Sequence, residues 1–295
     1  MIVCLGDAAL DVVVRPEGGV LRGSDVAGSV RIVPGGSAAN VAVWAARLGA
    51  AAAFIGAVGD DPAGAWLRED LRREGVETHM PIVGTTTAAI AALVDGDGER
   101  AMIADRGAAA ALRPEHIERA YLPPGCRLHL PAYSLFGEPM ASASLRAVRY
   151  CREVRGSVAI DSSSVGPLAA YGRDRFLRLV ATTAPDALFV NADEGSYLSG
   201  CAAAEDGARV LRRLARLVVW KQGAEGALAL GDELVRAPGT RVDVVDSTGA
   251  GDAFAAAFTV ASRDGASPRT ALERANALAA RVVGQLGARP TLDER

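Results

Sequence analysis

The sequence predicts an α/β fold: a doubly wound, mostly parallel sheet with helices on both faces and a small β-sheet beside it. From about residue 114 onwards, short apolar runs alternate with helical stretches, which is the pattern of a parallel sheet with helical crossovers. Two earlier stretches, 11–33 and 80–105, are β-rich and more polar. The chain has 295 residues, of which 50% are hydrophobic, so one large core is feasible. We therefore expect a single domain over 1–295.

Strands of the main sheet are predicted where short apolar runs are bounded by glycine or polar turn residues. The first run, Ile2–Leu5, ends at Gly6 and Asp7 and is typical of a buried strand. A later apolar run, Val244-Val245, is expected to be a strand that enters a glycine-rich turn. In chain order the other predicted strands are 54–58, 127–130, 157–160, 187–190, 217–220 and 226–230.

Helices are predicted where Ala-rich or amphipathic stretches carry start and stop signals. Gly49 ends the first helix, whereas Asp61-Pro62 opens the second with an acidic cap and a proline in its first turn, and Gly75 closes it. The predicted helices are 37–48, 62–74, 139–153, 173–180, 203–215, 250–263 and 267–286.

The stretch 80–105 contains a hairpin signal. Asp95-Gly96-Asp97-Gly98 separates two strand-like runs, and Asp-Gly pairs favour tight hairpin turns. Together with 11–33, this stretch is expected to form a small β lid over the larger body.

Charge and composition exclude several classes of protein. The formal net charge of -3 has no basic tail, so no nucleic-acid partner is expected. The apolar stretches are interrupted well before 18 residues, so no membrane span is predicted. We expect a cytoplasmic protein with free thiols, because the N-terminus lacks a basic secretory segment and no Cys-x-x-Cys pair is present. His79, His116 and His129 show no metal-ligand spacing.

The most informative motif is Asp246-Ser247-Thr248-Gly249-Ala250-Gly251-Asp252-Ala253-Phe254. Small residues at the start of a helix expose backbone N–H groups where the helix carries partial positive charge, and such a turn suits a phosphate. Asp252 follows at once, as a base for phosphoryl transfer would. The alternative is a plain strand-to-helix turn with an acidic first-turn residue. The motif is neither a Walker A loop, because the chain has no Gly-Lys pair, nor a dinucleotide fingerprint.

A second glycine motif, Gly35-Gly36-x-x-x-Asn40-x-Ala42, opens the helix predicted over 37–48. Bare N–H groups and an amide suit the hydroxyls of a polyol. The alternative is a glycine-rich helix start capped by Ser37.

These two motifs, in this order, resemble the signatures of the ribokinase family, also called the phosphofructokinase-B family. The resemblance spans the chain. It implies a ribokinase-like α/β body with a β lid, and transfer of the ATP γ-phosphoryl group to an alcohol with Mg²⁺. It implies that Asp252 is the catalytic base and that Gly249, Ala250 and Gly251 form the anion hole. It further implies substrate contacts from Asp7 and Asp11 in Gly6-Asp7-x-x-x-Asp11, and from Gly35, Gly36 and Asn40.

Further residues match the nucleotide side of the family. Asn191-x-x-Glu194 resembles the element that binds ATP and organises Mg²⁺ through water, although these residues would also form a helix cap. Lys221, Gly223 and Gly226 resemble the strand and turn that border ATP, with a plain hairpin as the alternative. Thr248 and Asn276 are further ATP contacts by resemblance. Asp246 and the Gly287-Ala288 segment resemble the region where relatives hold a monovalent cation, here K⁺.

The sequence leaves the acceptor open. Many relatives carry Asp-x-Asn where this chain has Asp161-Ser162-Ser163-Ser164, so no specific sugar pocket is transferred. Arg106 is a candidate contact for an acidic substrate or a plain surface residue. Ribose-like sugars, ketohexoses, sugar acids and nucleosides all remain as acceptors. A non-catalytic sugar or nucleoside sensor and a nucleotide-dependent oxidoreductase are the other classes considered. A homodimer through the lid is expected, because exposed sheet edges are often covered.

Overall fold

The computed structural model describes residues 1–20, 22–94 and 100–291. Its strands are β1 (Ile2–Leu5), β2 (Ala9–Pro16), β3 (Gly28–Gly35), β4 (Ala52–Ile55), β5 (Val58–Gly59), β6 (Glu77–His79), β7 (Ile82–Val83), β8 (Ala89–Val94), β9 (Arg100–Asp105), β10 (Arg127–Pro131), β11 (Ser157–Asp161), β12 (Ala187–Asn191), β13 (Val218–Lys221), β14 (Ala227–Leu230) and β15 (Leu234–Ala237).

The helices follow the strands closely in sequence, as crossover connections require. They are α1 (Ser37–Arg47), α2 (Pro62–Arg73), α3 (Gly107–Ala110), α4 (Met140–Glu153), α5 (Val165–Tyr171), α6 (Arg173–Thr183), α7 (Ala192–Ser199), α8 (Ala204–Leu211), α9 (Ala250–Arg263) and α10 (Pro268–Val283). Among the described helices, none is both long enough and apolar enough to cross a membrane.

The main sheet has the strand order β15-β14-β13-β12-β11-β10-β1-β4-β6. All neighbours pair in parallel except β13–β14 and β14–β15, which are antiparallel. Asp161, Asn191 and Lys221 are the last residues of β11, β12 and β13. Because parallel strands end at the same edge, these polar residues meet at the carboxyl edge of the sheet, where open α/β sheets bind ligands.

Side chains of each central strand alternate between two hydrophobic cores. Ile2 and Cys4 pack into one core, whereas Val3 and Leu5 pack into the other, as the two-residue period of a strand dictates. Helices α1, α9 and α10 cover the first core and α4, α6 and α8 the second. The predicted doubly wound sheet, with helices on both faces, is confirmed.

A smaller four-stranded sheet has the order β3-β2-β8-β9. Strand β2 pairs antiparallel with β3 and parallel with β8, and β8 pairs antiparallel with β9. The predicted turn Asp95-Gly96-Asp97-Gly98 between β8 and β9 lies outside the described residues. Large apolar side chains of this sheet are exposed, namely Val30, Ile32, Met102 and Ile103.

Two sequence expectations about elements were wrong, and some short elements were not predicted. The apolar pair Val244-Val245 is not a strand: it lies in the loop between β15 and α9, and the two residues are 71% and 49% exposed. The N–H of Val245 donates to the carbonyl oxygen of Val283 at the end of α10 and not to a strand. The run 54–58 is broken into β4 and β5, and β5 pairs with β7 in a separate two-stranded sheet. Strand β15 and helix α5 were not predicted, because both are short and lack strong periodicity.

Candidate active site

A cavity of about 760 Å³ opens at the carboxyl edge of the main sheet, between that edge and the small sheet. Most of the residues that the sequence singled out line it. They are Asp7, Asp11, Gly36, Asn40, Asn191, Glu194, Lys221, Gly223, Gly226, Thr248, Gly249, Ala250, Gly251, Asp252 and Asn276. Gly35, Arg106 and Asp246 are not among the lining residues.

The glycine turn places the amino end of α9 in this cavity. Gly249 has φ of 75° and precedes the helix; a Cβ there would lie 2.5 Å from Cβ of Ala288, so only glycine fits. Within the described part of the chain, the N–H groups of Gly251 and Asp252 have no protein acceptor. Since the first N–H groups of a helix lack partners and carry partial positive charge, this turn can bind an anion.

Asp246 stabilises the glycine turn through hydrogen bonds that its carboxylate accepts. Its Oδ1 accepts hydrogen bonds from the N–H of Thr248 at 2.9 Å and from Thr248 Oγ1 at 2.6 Å. Its Oδ2 accepts one from the N–H of Gly287 at 3.0 Å. The carboxylate therefore ties the glycine turn to the segment that follows α10.

Asp252 lies in the first turn of α9 and is held by two side chains from the first turn of α1. Ser37 Oγ donates to Oδ1 at 2.7 Å, and Asn40 Nδ2 donates to Oδ2 at 2.8 Å. Burial raises the pKa of Asp252 to about 7, against the two hydrogen bonds, which lower it. A carboxylate with this pKa is suited to accept a proton near neutral pH.

The only lysine of the chain, Lys221, forms an ion pair with Asp161. Its Nζ lies 2.8 Å from Asp161 Oδ2 and 3.5 Å from the position that a Cβ on Gly251 would occupy. Burial by itself would lower the pKa of Lys221, but the carboxylates of Asp161 and Glu194 raise it above its ordinary value. The ammonium therefore stays charged beside the anion-binding turn.

Asn191 and Glu194 form a capping box at the start of α7. Asn191 Oδ1 accepts from the N–H of Glu194 at 2.9 Å, and Glu194 Oε2 accepts from the N–H of Asn191 at 2.8 Å. Glu194 also accepts from Ser162 Oγ at 2.6 Å and from Asn191 Nδ2 at 2.6 Å. Asn191 and Glu194 therefore form the helix cap that the sequence also allowed, and both residues line the cavity.

Two carboxylates at the other end of the cavity carry buried oxygens that lack partners. Within the described ranges, neither Oδ1 of Asp7 nor Oδ1 of Asp11 accepts a hydrogen bond. Burial raises the pKa of Asp7 and raises that of Asp11 to about 6. Because buried polar groups normally find partners, these oxygens point to a ligand with hydroxyl donors.

The glycine pair 35–36 makes room for these carboxylates. A Cβ on Gly35 would lie 2.2 Å from Asp11 Oδ2. Gly36 has φ of 96°, and a Cβ there would lie 2.3 Å from the carbonyl oxygen of Asp7. The need for glycine at both positions is therefore steric.

The opposite end of the cavity is built around the loop that follows β15. Asn276 Nδ2 donates to the carbonyl oxygens of Ala237 and Pro238 at 3.2 and 2.9 Å. Gly226 has φ of 101°, and a Cβ there would lie 2.2 Å from the oxygen of Ala237. The apolar side chains of Val242 and Val283 also line this end. The amide of Asn276 thus shapes the wall of the cavity.

Arg106 does not line the cavity, and its contact with substrate stays a prediction. Its Nη2 lies 3.1 Å from the sulfur of Met140, and its side chain is absent from the lining of the cavity. Its charge still lowers the pKa of Asp7, against the larger effect of burial.

Sequence reasoning missed several residues at the site. Asp161 was seen only as a remnant of a sugar motif, although its place at the end of a buried strand was a usable signal. Tyr133 lines the cavity from the 3₁₀ turn after β10. Arg289, which contacts Asn40, carried no motif, and nothing in its local sequence indicated that contact.

The described residues contain no cluster of three or more histidine, cysteine, aspartate or glutamate side chains that could hold a metal ion by itself.

Comparisons with known proteins identify the family of the chain. A family model described as pfkB family carbohydrate kinase matches residues 1–295. An aminoimidazole riboside kinase from Salmonella typhimurium is 34% identical over 98% of this chain and 90% of that protein. A fructokinase from Klebsiella pneumoniae is 33% identical over 85% of this chain and 81% of that protein.

Among solved structures, the fold resembles an aminoimidazole riboside kinase from Salmonella enterica in complex with aminoimidazole riboside and an ATP analog. The TM-score is 0.82 at 30% identity, with 97% of this chain and 94% of that chain covered. The ribokinase-like fold inferred from the two glycine motifs is confirmed. The chain belongs to the pfkB family of carbohydrate kinases, which are ATP-dependent enzymes.

Proposed function

We propose that the chain transfers the γ-phosphoryl group of ATP to a hydroxyl of a neutral, polyhydroxylated acceptor, with Asp252 as the general base. The observation that carries this proposal is the position of Asp252 in the same helical turn as the N–H groups of Gly251 and Asp252. A base and an anion-binding turn at one place are what phosphoryl transfer to an alcohol needs.

In this mechanism the acceptor hydroxyl donates its proton to Asp252 as its oxygen attacks the phosphorus. The bond from the γ-phosphorus to the β,γ-bridging oxygen breaks, and ADP leaves with that oxygen. The N–H groups of Gly251 and Asp252, in the turn that Gly249 opens, and the ammonium of Lys221 hold the transferring group, whereas the N–H of Ala250 already donates to the carbonyl oxygen of Ser247 at 3.4 Å. Ser37 and Asn40 keep the carboxylate of Asp252 aimed at the acceptor. The small sheet and the main body together exclude water from the reacting groups.

The nucleotide is assigned to the end of the cavity near Gly223, Gly226 and Asn276, with Thr248 and Asn191 nearer the phosphates. A relative solved in complex with an ATP analog supports the use of ATP by this fold.

The residues present fit Mg²⁺ bound through water. Both oxygens of Glu194 already accept protein hydrogen bonds, so it would hold the ion through ordered water and not directly. When bound with the nucleotide, Mg²⁺ neutralises charge on the phosphates.

The acceptor end favours a neutral polyol over a sugar acid. Asp7, Asp11 and Asp252 face this end, two of them with unpartnered oxygens. The cationic side chain that lines the cavity in the described ranges is Lys221, which is paired with Asp161 at the phosphate end. An acceptor carboxylate would therefore meet like charges, whereas sugar hydroxyls would supply the missing donors.

The stretches 11–33 and 80–105 are proposed to act as the lid. Ile90 and Met102 of the small sheet line the cavity, so movement of this sheet would open and close the acceptor end. The exposed apolar side chains of Val30, Ile32 and Ile103 support a homodimer through the lid.

A K⁺ site near Asp246 stays a prediction. Both carboxylate oxygens of Asp246 already accept hydrogen bonds from the protein.

A substrate panel coupled to ADP release tests the proposal. It would contain ribose, fructose, ribosides and a sugar acid, each assayed with the wild type and with Asp252→Asn. We expect turnover of a neutral acceptor and a loss in kcat of about 10²–10⁴-fold in the variant, with binding retained. Tight binding of an acceptor by the wild type without turnover would favour a sensor, and an unchanged kcat in Asp252→Asn would reject the base.

A further inference from the structure

Arg289 lies beyond α10, in the segment that packs along α1, and its side chain is 5% exposed. Its Nε donates to Asn40 Oδ1 at 2.6 Å, its Nη1 to Asp70 Oδ2 at 2.7 Å and its Nη2 to the carbonyl oxygen of Gly35 at 3.1 Å. The guanidinium thus contacts both the glycine pair and the amide that binds Asp252.

The two ends of the Asn40 side chain have different partners. Oδ1 accepts from Arg289, and Nδ2 donates to Asp252 Oδ2 at 2.8 Å. An amide has an acceptor end and a donor end, which a half-turn exchanges, whereas a guanidinium is only a donor. Arg289 therefore permits one orientation of the amide, the one in which its donor faces Asp252.

The reversed amide would oppose the reaction. It would place Oδ1 of Asn40 against the carboxylate of Asp252, where two acceptors repel each other. Asp252 would lose one of its two side-chain donors, retaining Ser37. A buried carboxylate with fewer donors is harder to ionise and less firmly aimed.

We propose that Arg289 is a positioning residue for the Asp252 base, acting through Asn40 by fixing the orientation of the amide. This inference rests on the proposed function, because it needs Asp252 to be the base. Arg289 itself does not line the cavity, so it acts without touching either substrate.

Other charged groups surround both ends of this chain of contacts. Around Asp252, the charges and hydrogen-bonding side chains are Ser37, Asn40, Asp161 and Lys221, with Cys4 and Tyr133 also nearby. Around Arg289 they are Asp11, Arg47, Asp70 and Glu74. Because loss of Arg289 also removes a positive charge near Asp11, kcat at saturating acceptor is the quantity that isolates the base.

The test compares the pH profile of kcat in four proteins: the wild type, Arg289→Met, Arg289→Lys and Asp70→Asn. Asp70→Asn is the matched control, because it breaks the same ion pair but leaves the bond from Nε to Asn40. We expect Arg289→Met to lower kcat at pH 7 by about 10²-fold and to move the acidic limb to higher pH. Arg289→Lys retains a cationic donor, so its kcat and the position of its acidic limb should lie between those of the wild type and of Arg289→Met. Asp70→Asn should keep the acidic limb of the wild type.

Several results would overturn the proposal. If Asp252→Asn is inactive while Arg289→Met keeps the wild-type kcat and limb, the base stands and Arg289 has no positioning role. An equal shift of the limb in Asp70→Asn would assign the effect to the ion pair instead of the amide. If Asp252→Asn keeps its kcat, the proposed function itself fails.

A titration of the Asp252 carboxyl by ¹³C NMR decides the matter without any acceptor. We expect a higher pKa in Arg289→Met than in the wild type and in Asp70→Asn. An unchanged pKa in Arg289→Met would reject the proposal. Should Arg289→Met fail to fold, the same comparison is made with Arg289→Lys, for which a pKa and kcat equal to those of Asp70→Asn would also reject it.

Discussion

The ammonium of Lys221 and the carboxylate of Asp161 lie 2.8 Å apart across the end of β12, although 60 positions separate them in sequence. Asp161 ends β11 and Lys221 ends β13, so the ion pair spans the strand between them. The ammonium of Lys221 therefore lies directly beside the anion-binding turn of α9. The pair therefore has both a structural effect and a proposed role toward phosphate, and these can be separated.

Replacing Lys221 with methionine should weaken the use of ATP. A charge-assisted hydrogen bond to phosphate would be lost, and we expect kcat/KM for ATP to fall by roughly 10- to 100-fold. The variant should also unfold more easily, because Asp161 would remain as a buried, unpaired charge. Steady-state kinetics and thermal unfolding would measure the two effects.

The double variant Lys221→Met with Asp161→Asn is the control for that experiment. It removes the unpaired charge, so most of the thermal stability should return while kcat/KM for ATP stays low. Recovery of both quantities would show that Lys221 only compensates Asp161 and does not serve the nucleotide.

The rate should depend on pH through Asp252. A general base must be ionised, and burial raises the pKa of this carboxyl to about 7. We therefore expect kcat to fall below pH 7, by about tenfold per pH unit. Ser37→Ala removes a hydrogen bond that lowers this pKa, so its acidic limb should move to higher pH. An acidic limb near pH 4 in the wild type would contradict the assigned environment of Asp252.

Gly35→Ala should impair the acceptor site alone. The new Cβ would lie 2.2 Å from Asp11 Oδ2 and would displace the carboxylate that is proposed to bind hydroxyls. We expect the KM for the acceptor to rise by roughly 10- to 100-fold, with the KM for ATP unchanged. Gly84→Ala is the matched control, because a Cβ at Gly84 has no neighbour within 4 Å. Equal increases in both KM values would point to general distortion.

Gly195→Ala should destabilise the protein through Trp220. A Cβ at Gly195 of α7 would lie 2.4 Å from the buried indole of Trp220, and overpacking of this kind costs about 1–3 kcal/mol. Gly166→Ala in α5, where a Cβ would have no neighbour within 4 Å, should be neutral or slightly stabilising. Denaturant unfolding would measure both, and equal stabilities would show that Trp220 can move aside.

Local signals in the sequence were enough to predict the elements that carry the site. The turn 246–252 and the glycine pair 35–36 are contiguous motifs that the sequence shows directly, whereas the hydrogen bond between Asn40 and Asp252 is seen only in the structure. The loop at Val244 was mistaken for a strand, because β propensity does not reveal whether a partner strand is available.

Contacts between distant parts of the chain could not be predicted. Arg289 and Asn40 are 249 positions apart, and their contact depends on how the end of the chain packs along α1. Asp161 and Lys221 were each noticed, but their pairing requires knowing that β11 and β13 flank β12. Such relations follow from the tertiary fold and leave no mark on neighbouring residues.

The residues proposed for the reaction and those proposed for acceptor choice sit on separate parts of the molecule. Asp252 and its neighbouring N–H groups belong to one rigid turn of α9, whereas Asp11 and Met102 belong to strands of the small sheet. Substitutions in the small sheet would change which alcohol is accepted as substrate and would leave the turn of α9 unchanged. This separation gives a physical reason why relatives named for a riboside and for fructose share one fold. The residues for phosphoryl transfer can stay the same while those that select the acceptor change.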